Sequence, residues 1–148
     1  MGRTLMPLAL VLTLACTAAS AEQAVNFDGF VAHYNAYTAD LLDPKVASSY
    51  GIQRSHNRGV LLVNVQHADA AAPTGIRADV EATAQTANQQ QQAIQIREVK
   101  EGDAFYYLAD FPVTNGQILD FAITVQPDGT QVPFRFSYRK QFFTRDKE

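Results

Sequence analysis

Arg54, Ser55, His56, Asn57, Arg58 and Gly59 put two guanidiniums, an imidazole, an amide and a hydroxyl side by side. The glycine that follows them lets the backbone turn sharply or come close to a ligand. Such a set suits bidentate capture of a carboxylate or phosphate by arginine. The commoner arrangement is structural: Arg54 and Arg58 pair with acidic neighbours such as Asp40, Asp43 or Glu98, while Ser55 and Asn57 bond the local backbone in a turn. Tyr106 and Tyr107 are the other ambiguous residues. Of two adjacent tyrosines on a strand, one is expected in the core with its hydroxyl bonded and the other at a rim, where it could line a groove. The candidate contact residues are therefore Arg54, Ser55, His56, Asn57, Arg58 and Tyr106.

The three histidines, His33, His56 and His67, raise the question of a metal. No two are spaced to bring both rings onto one face locally, and no cysteine or run of carboxylates accompanies them, so a metal or catalytic site would have to be assembled by the fold. Cu(I) capture by thioethers calls for several methionines, and both of this chain's, Met1 and Met6, lie in the apolar leader. Ser48, Ser49, Ser55 and Ser137 sit in no Gly-x-Ser-x-Gly elbow or Ser-x-x-Lys pattern. Ser55 and His56 are neighbours whose side chains point apart in an extended segment. Acidic residues fall mostly in turns and outward strand positions, and no phosphate-cradling glycine loop occurs. The reading is a non-catalytic binding module without a cofactor, with a fold-assembled histidine site for metal handling or catalysis as the alternative.

The leader itself reads as an export signal. Arg3 is followed by the apolar run Leu5 to Ala15 and by Ala19-Ser20-Ala21, a small-x-small site, so cleavage is expected after Ala21 and the domain over residues 22–148. The run is too short for a transmembrane anchor. Lipid attachment at Cys16 is the lesser alternative, because Thr13 stands where an aliphatic residue is expected. Losing Arg3 takes the formal net charge from −3 to −4. With no basic stripe, nucleic acid is not an expected partner. The single cysteine leaves with the leader, so the domain holds together by packing, without thiol chemistry or thiolate metal sites.

The elements that position these residues are mainly strands. Asp103 to Val113 carries apolar side chains on both alternating sets, Phe105, Tyr107, Ala109 and Phe111 against Ala104, Tyr106 and Leu108, and so reads as the central strand. Val25 to Thr38 reads as one strand bulged at Gly29. Asp43 as N-cap, Pro44 and Gly51 bracket a short helix near 44–50, expected to carry the chain between sheets and to bury Val46, Tyr50 and Ile52. Further strands alternate over Gly59 to His67, Ile76 to Gln85, from Ile94 and Ile96 to the Glu101-Gly102-Asp103 turn, Leu119 to Val125, and Phe134 to Arg139. Turns fall at Asn115-Gly116 and Pro127-Asp128-Gly129-Thr130. About seven strands with one short helix predict an all-β, antiparallel two-sheet sandwich of immunoglobulin-like architecture, lacking the tryptophan and disulfide of that superfamily. A closed barrel is the alternative, separable by whether the first and last strands pair.

Three blocks also resemble a family. They are His33-Tyr34-Asn35-Ala36 with Leu42-x-Pro44-x-Val46-Ala47; Tyr50-Gly51-Ile52-x-Arg54-Ser55-x-Asn57-Arg58-Gly59; and Glu101-Gly102-Asp103-Ala104 with Tyr106-Tyr107-x-Ala109-x-Phe111-Pro112-Val113. Together they resemble domain of unknown function 4426, small exported bacterial proteins. The resemblance implies a periplasmic β-sandwich of Gram-negative bacteria and no established activity. The expected partner is a periplasmic protein or a small anionic ligand held at the Arg54 to Gly59 loop. The oligomeric state stays open.

Overall fold

Alternation of apolar and polar residues produces strands with one face that must leave water, and two sheets satisfy this by stacking those faces. The computed structural model describes residues 23–144, so the leader, Cys16 and the cleavage site lie outside the described residues. In chain order the elements are β1 (Gln23–Phe27), β2 (Phe30–Thr38), a short 3-10 turn (Ala39–Leu41), α1 (Pro44–Ser49), β3 (Arg58–His67), β4 (Ala78–Thr86), β5 (Gln91–Ile94), β6 (Arg97–Glu101), β7 (Ala104–Pro112), β8 (Ile118–Pro127) and β9 (Phe134–Gln141). One sheet has the order β1-β2-β3-β7-β6 and the other β5-β4-β8-β9, and every pairing is antiparallel. This is the expected two-sheet sandwich. It is open: β1 and β9, the first and last strands, belong to different sheets.

Nine strands among the described residues replace the seven expected, and both differences have a local cause. Asp28 and Gly29 both have positive φ, 42° and 83°, so they form a hairpin turn between β1 and β2 and not a bulge in one strand. The segment after Ile94 splits because Ile94 ends β5 in the four-stranded sheet while Arg97 begins β6 in the other. The strand expected at the centre, β7, lies one place from the edge, and β3 is the middle strand of its sheet.

The main core fills the space between the sheets. Leu61, Val63 and Val65 of β3 and Tyr107, Ala109 and Phe111 of β7 meet Phe121, Ile123 and Val125 of β8, with Ala82 and Ala84 leaving room on β4. Burying each large side chain contributes about 1.5–3 kcal/mol. Aromatic pairs close one flank: Phe27 stacks on Phe134 with ring centres 4.5 Å apart, and Tyr34 leans on Phe136 at 4.9 Å. Gly59 is part of this packing. A Cβ there would stand 2.5 Å from the Phe111 ring, so the glycine makes room for that ring and not for a turn or a ligand.

The short helix begins as expected. Asp43 Oδ1 accepts the backbone N–H groups of Lys45 and Val46 at 2.8 and 3.3 Å, Pro44 opens the first turn, and Gly51 with φ 65° ends it. It does not carry the chain between sheets, because it joins β2 to β3, which are neighbours in one sheet. Ile52 is buried beneath it together with Ala47, whereas Val46 is exposed and Tyr50 half-buried.

Candidate functional site

Period-two alternation gives the five-stranded sheet a second face, turned away from the main core. Registers place His33, Asn35 and Tyr37 of β2, Val60, Leu62, Asn64 and Gln66 of β3, Tyr106, Leu108 and Asp110 of β7, and Arg97, Val99 and Glu101 of β6 on it. The 3-10 turn and α1 fold back over one end of this face. There Ala39, Leu42, Ala47 and Ile52 pack on Val60 and Leu108 as a separate small apolar cluster.

That packing leaves a hollow of about 170 Å³. Its floor is Tyr37, Leu62, Val99 and Leu108, its roof is Leu42, Val46 and Tyr50, and Glu101 and Tyr106 stand at its rim. The Tyr50 hydroxyl donates to the Glu101 carboxylate, fastening roof to rim. Burial pushes the pKa of the Tyr37 phenol up, which keeps it neutral. A second hollow, of about 350 Å³, continues over the open part of the sheet and is lined by His33, Asn35, Asn64 and Gln66. Leu62 and Tyr106 line both, so an apolar chamber and a polar trough share one boundary.

The polar trough has an ordered wall. Asn64, almost buried, donates from Nδ2 to the Phe105 carbonyl at 3.0 Å and accepts Gln66 Nε2 on Oδ1 at 2.7 Å. The close approach of Gly75 makes this possible: a Cβ there would overlap the Phe105 carbonyl and the Asn64 amide.

The loop singled out in the sequence lies beside this face, and its charged groups already have protein partners. Arg58 gives Nε and Nη2 to Asp110 Oδ2 at 2.9 and 2.5 Å, and Arg97 holds the other oxygen of Asp110 at 3.2 Å. Arg54 donates to the Asp40 carbonyl at 2.8 Å, and His56 Nδ1 lies 2.8 Å from Asp40 Oδ2. The Asp40 carboxyl is raised by its burial, but the neighbouring Thr38 hydroxyl and the His56 charge more than offset this and leave its pKa below the usual value. Ser55 Oγ accepts the Asn57 N–H at 3.2 Å, and the Asn57 carbonyl accepts from Val113 N at 2.9 Å. Asp40 was expected to pair with an arginine through its carboxylate, but that group goes to His56 and Arg54 takes the backbone carbonyl; Asp110, far along the chain, was not foreseen.

The two tyrosines divide as expected. Tyr107 is 2% exposed, and its hydroxyl accepts the Ala78 N–H at 2.6 Å from the opposite sheet. Tyr106 points the other way, into the shared boundary of the hollows.

The histidines are dispersed. His67, exposed at the end of β3, lies beside Phe30 with ring centres 5.1 Å apart, while His33 lies opposite Asn64 on the outer face, and His56 belongs to Asp40 at the end of the sheet. Among the described residues no three His, Cys, Asp or Glu side chains lie close enough to hold a metal ion. Ser55 and His56 turn to different partners and form no nucleophile–base pair. Among the described residues no helix is long and apolar enough to cross a membrane.

On the other side of the sandwich, β4, β8 and β9 present a shallow crease lined by Thr83, Ala122, Thr124 and Ser137 between Glu81 and Arg135. Among the described residues no helix or turn folds over it, and its only charged groups, Glu81 and Arg135, stand at its edges. What sequence reasoning missed is the roofed chamber, since Tyr37, Leu62, Val99 and Glu101 come from three strands and carry no motif that groups them.

Comparison with known proteins supports the architecture. No curated protein matches the chain. FetP of uropathogenic Escherichia coli strain F11, expressed in the periplasm of E. coli, superposes with a TM-score of 0.60 at 11% identity, over 84% of this chain and 95% of that one. A copper-bound variant of FetP gives 0.59 at 11% identity, over 84% and 97%. Identities this low show a shared fold. A DUF4426 family protein from Pseudomonas aeruginosa PAO1 has a TM-score of 0.73 at 30% identity, over 84% of this chain and 97% of that one. Residues 24–145 match the family described as Domain of unknown function (DUF4426), and the chain belongs to that family.

Proposed function

We propose that this protein is a non-catalytic binding module of the periplasm, and that its ligand lies on the outer face of the five-stranded sheet, where the two hollows meet at Leu62 and Tyr106. The observation that carries this reading is the roofed apolar chamber opening onto a trough with a fixed amide wall. Binding sites are concave and largely apolar, with a few placed polar groups that orient the ligand. The apolar leader of residues 1–21, read as an export signal, supports the periplasmic address. In this reading Arg54, Ser55, His56, Asn57 and Arg58 buttress the site and Tyr106 touches the ligand. An anionic ligand at the loop is less well supported, because Arg58 is engaged by Asp110, and Arg54 and His56 by Asp40.

A metal-handling role is suggested by copper-bound FetP, whose likeness to this chain is one of fold. It is not the reading favoured here: His33 and His67 lie on opposite faces of their sheet, and both methionines are in the leader. Metal analysis of untagged protein tests it directly.

The binding reading is tested with phenylnaphthylamine, a neutral apolar fluorophore, titrated into the domain spanning residues 22–148. Saturable fluorescence is expected, with affinity weakened about tenfold by Leu62→Gln and by Tyr106→Ser and unchanged by Arg139→Ala, an exposed residue of the other sheet. Equal titrations for all four correctly folded proteins, or no saturable signal, would overturn it.

A further inference from the structure

The make-up of the roofed chamber indicates what it holds. Tyr37, Tyr50 and Tyr106 contribute three aromatic rings to its wall, Leu42, Val46, Leu62, Val99 and Leu108 the aliphatic remainder, and Glu101 one carboxylate at the mouth. Glu101 accepts from the Tyr50 hydroxyl, and no cation pairs with it among the described residues. Arg97, the cation of its own strand on the same face, is committed to Asp110 and to the Tyr50 carbonyl.

Aromatic rings attract a cation through the ring quadrupole, and an alkylated ammonium, being weakly hydrated, gives up little on leaving water. A carboxylate at the mouth adds attraction for the same charge and repels anions. A sugar or a free phosphate would find too few hydrogen-bond donors on these walls to replace its water. A purely apolar ligand would gain nothing from Glu101.

We propose that the chamber beneath α1 binds an alkylated ammonium group, with its methyl or methylene groups against the three tyrosines and its charge facing Glu101. This rests on the binding-module reading and names the ligand class of the same site. The adjoining trough then receives whatever polar group the ammonium carries, against the Asn64 and Gln66 amides. The headgroup could belong to a soluble molecule or to a lipid, since both present the same cation.

The test compares choline with dimethylbutanol, its neutral carbon isostere, by chemical-shift titration of the 22–148 domain. Choline is expected to bind at least about tenfold more tightly, with shifts centred on residues around Tyr50 and Tyr106. Glu101→Gln keeps an oxygen for the Tyr50 hydroxyl and therefore keeps the roof, but should reduce the choline preference at least about fivefold. Sedimentation with phosphatidylcholine vesicles but not phosphatidylglycerol vesicles would identify a lipid source, and choline binding alone a soluble one. Equal affinity for choline and its isostere, or a preference that survives Glu101→Gln, would overturn the proposal. If phenylnaphthylamine still binds in that case, the binding-module reading stands without it; if neither probe binds, both fall.

Discussion

The backbone N–H of Ala78 donates to the Tyr107 hydroxyl at 2.6 Å, and that bond passes from the first residue of β4 in one sheet to β7 in the other. The hydroxyl also lies 3.4 Å from Glu98 Oε2, to which it can donate. Removing the oxygen strands a buried N–H, whose desolvation costs about 1–3 kcal/mol. Tyr107→Phe should lose that amount in urea unfolding, while Tyr106→Phe should stay within about 0.5 kcal/mol of the parent. The reverse order would mean that the two faces of β7 are wrongly assigned.

Gly59 and Phe111 form the second test. They are cross-strand partners, and the ring occupies the space a side chain at 59 would need. Gly59→Ala should destabilise by about 1–3 kcal/mol through overpacking. Combining it with Phe111→Leu should cost less than the sum of the two single changes, since the smaller side chain relieves the clash. Full additivity in denaturant titrations would argue against a shared space.

Asp40 contributes to the response to acid. Its carboxyl has a lowered pKa in the folded protein, so the stability it contributes is present above the unfolded-state pKa and is lost as pH falls through the lower folded value. The parent should therefore lose stability as pH drops below about 4. Asp40→Asn should be less stable at neutral pH by about 1 kcal/mol, because the His56 side of the pair is well exposed, and should lose less than the parent on acidification. Urea midpoints at neutral and acid pH decide it; parallel losses would show that Asp40 is not the responsible group.

The strands were legible because each has one face in the main core, and period two survives in residues such as Leu61, Val63 and Val65. Asp28-Gly29 was misplaced although the dipeptide is a strong hairpin signal; the aromatic residues on either side continue the apolar pattern and hide the reversal. Nothing in the alternation of Ile94 and Ile96 says that the chain changes sheets between them, since that depends on which strand offers a free edge. At the site, the separation of Tyr106 from Tyr107 could be read from direction alone. The loop could be read only as a cluster of donors, because Asp110, which decides the role of Arg58, is 52 positions away. Glu101 looked like an ordinary turn residue until Tyr50 was placed across from it.

The segment that roofs the chamber is a detour between two adjacent strands of one sheet, and none of its residues enters the space between the sheets. Side chains of that excursion can therefore be changed to alter the cargo while the frame between the sheets stays as it is. Replacing Val46, which lines the chamber yet is exposed and lies outside both apolar clusters, should change ligand preference without changing thermal stability.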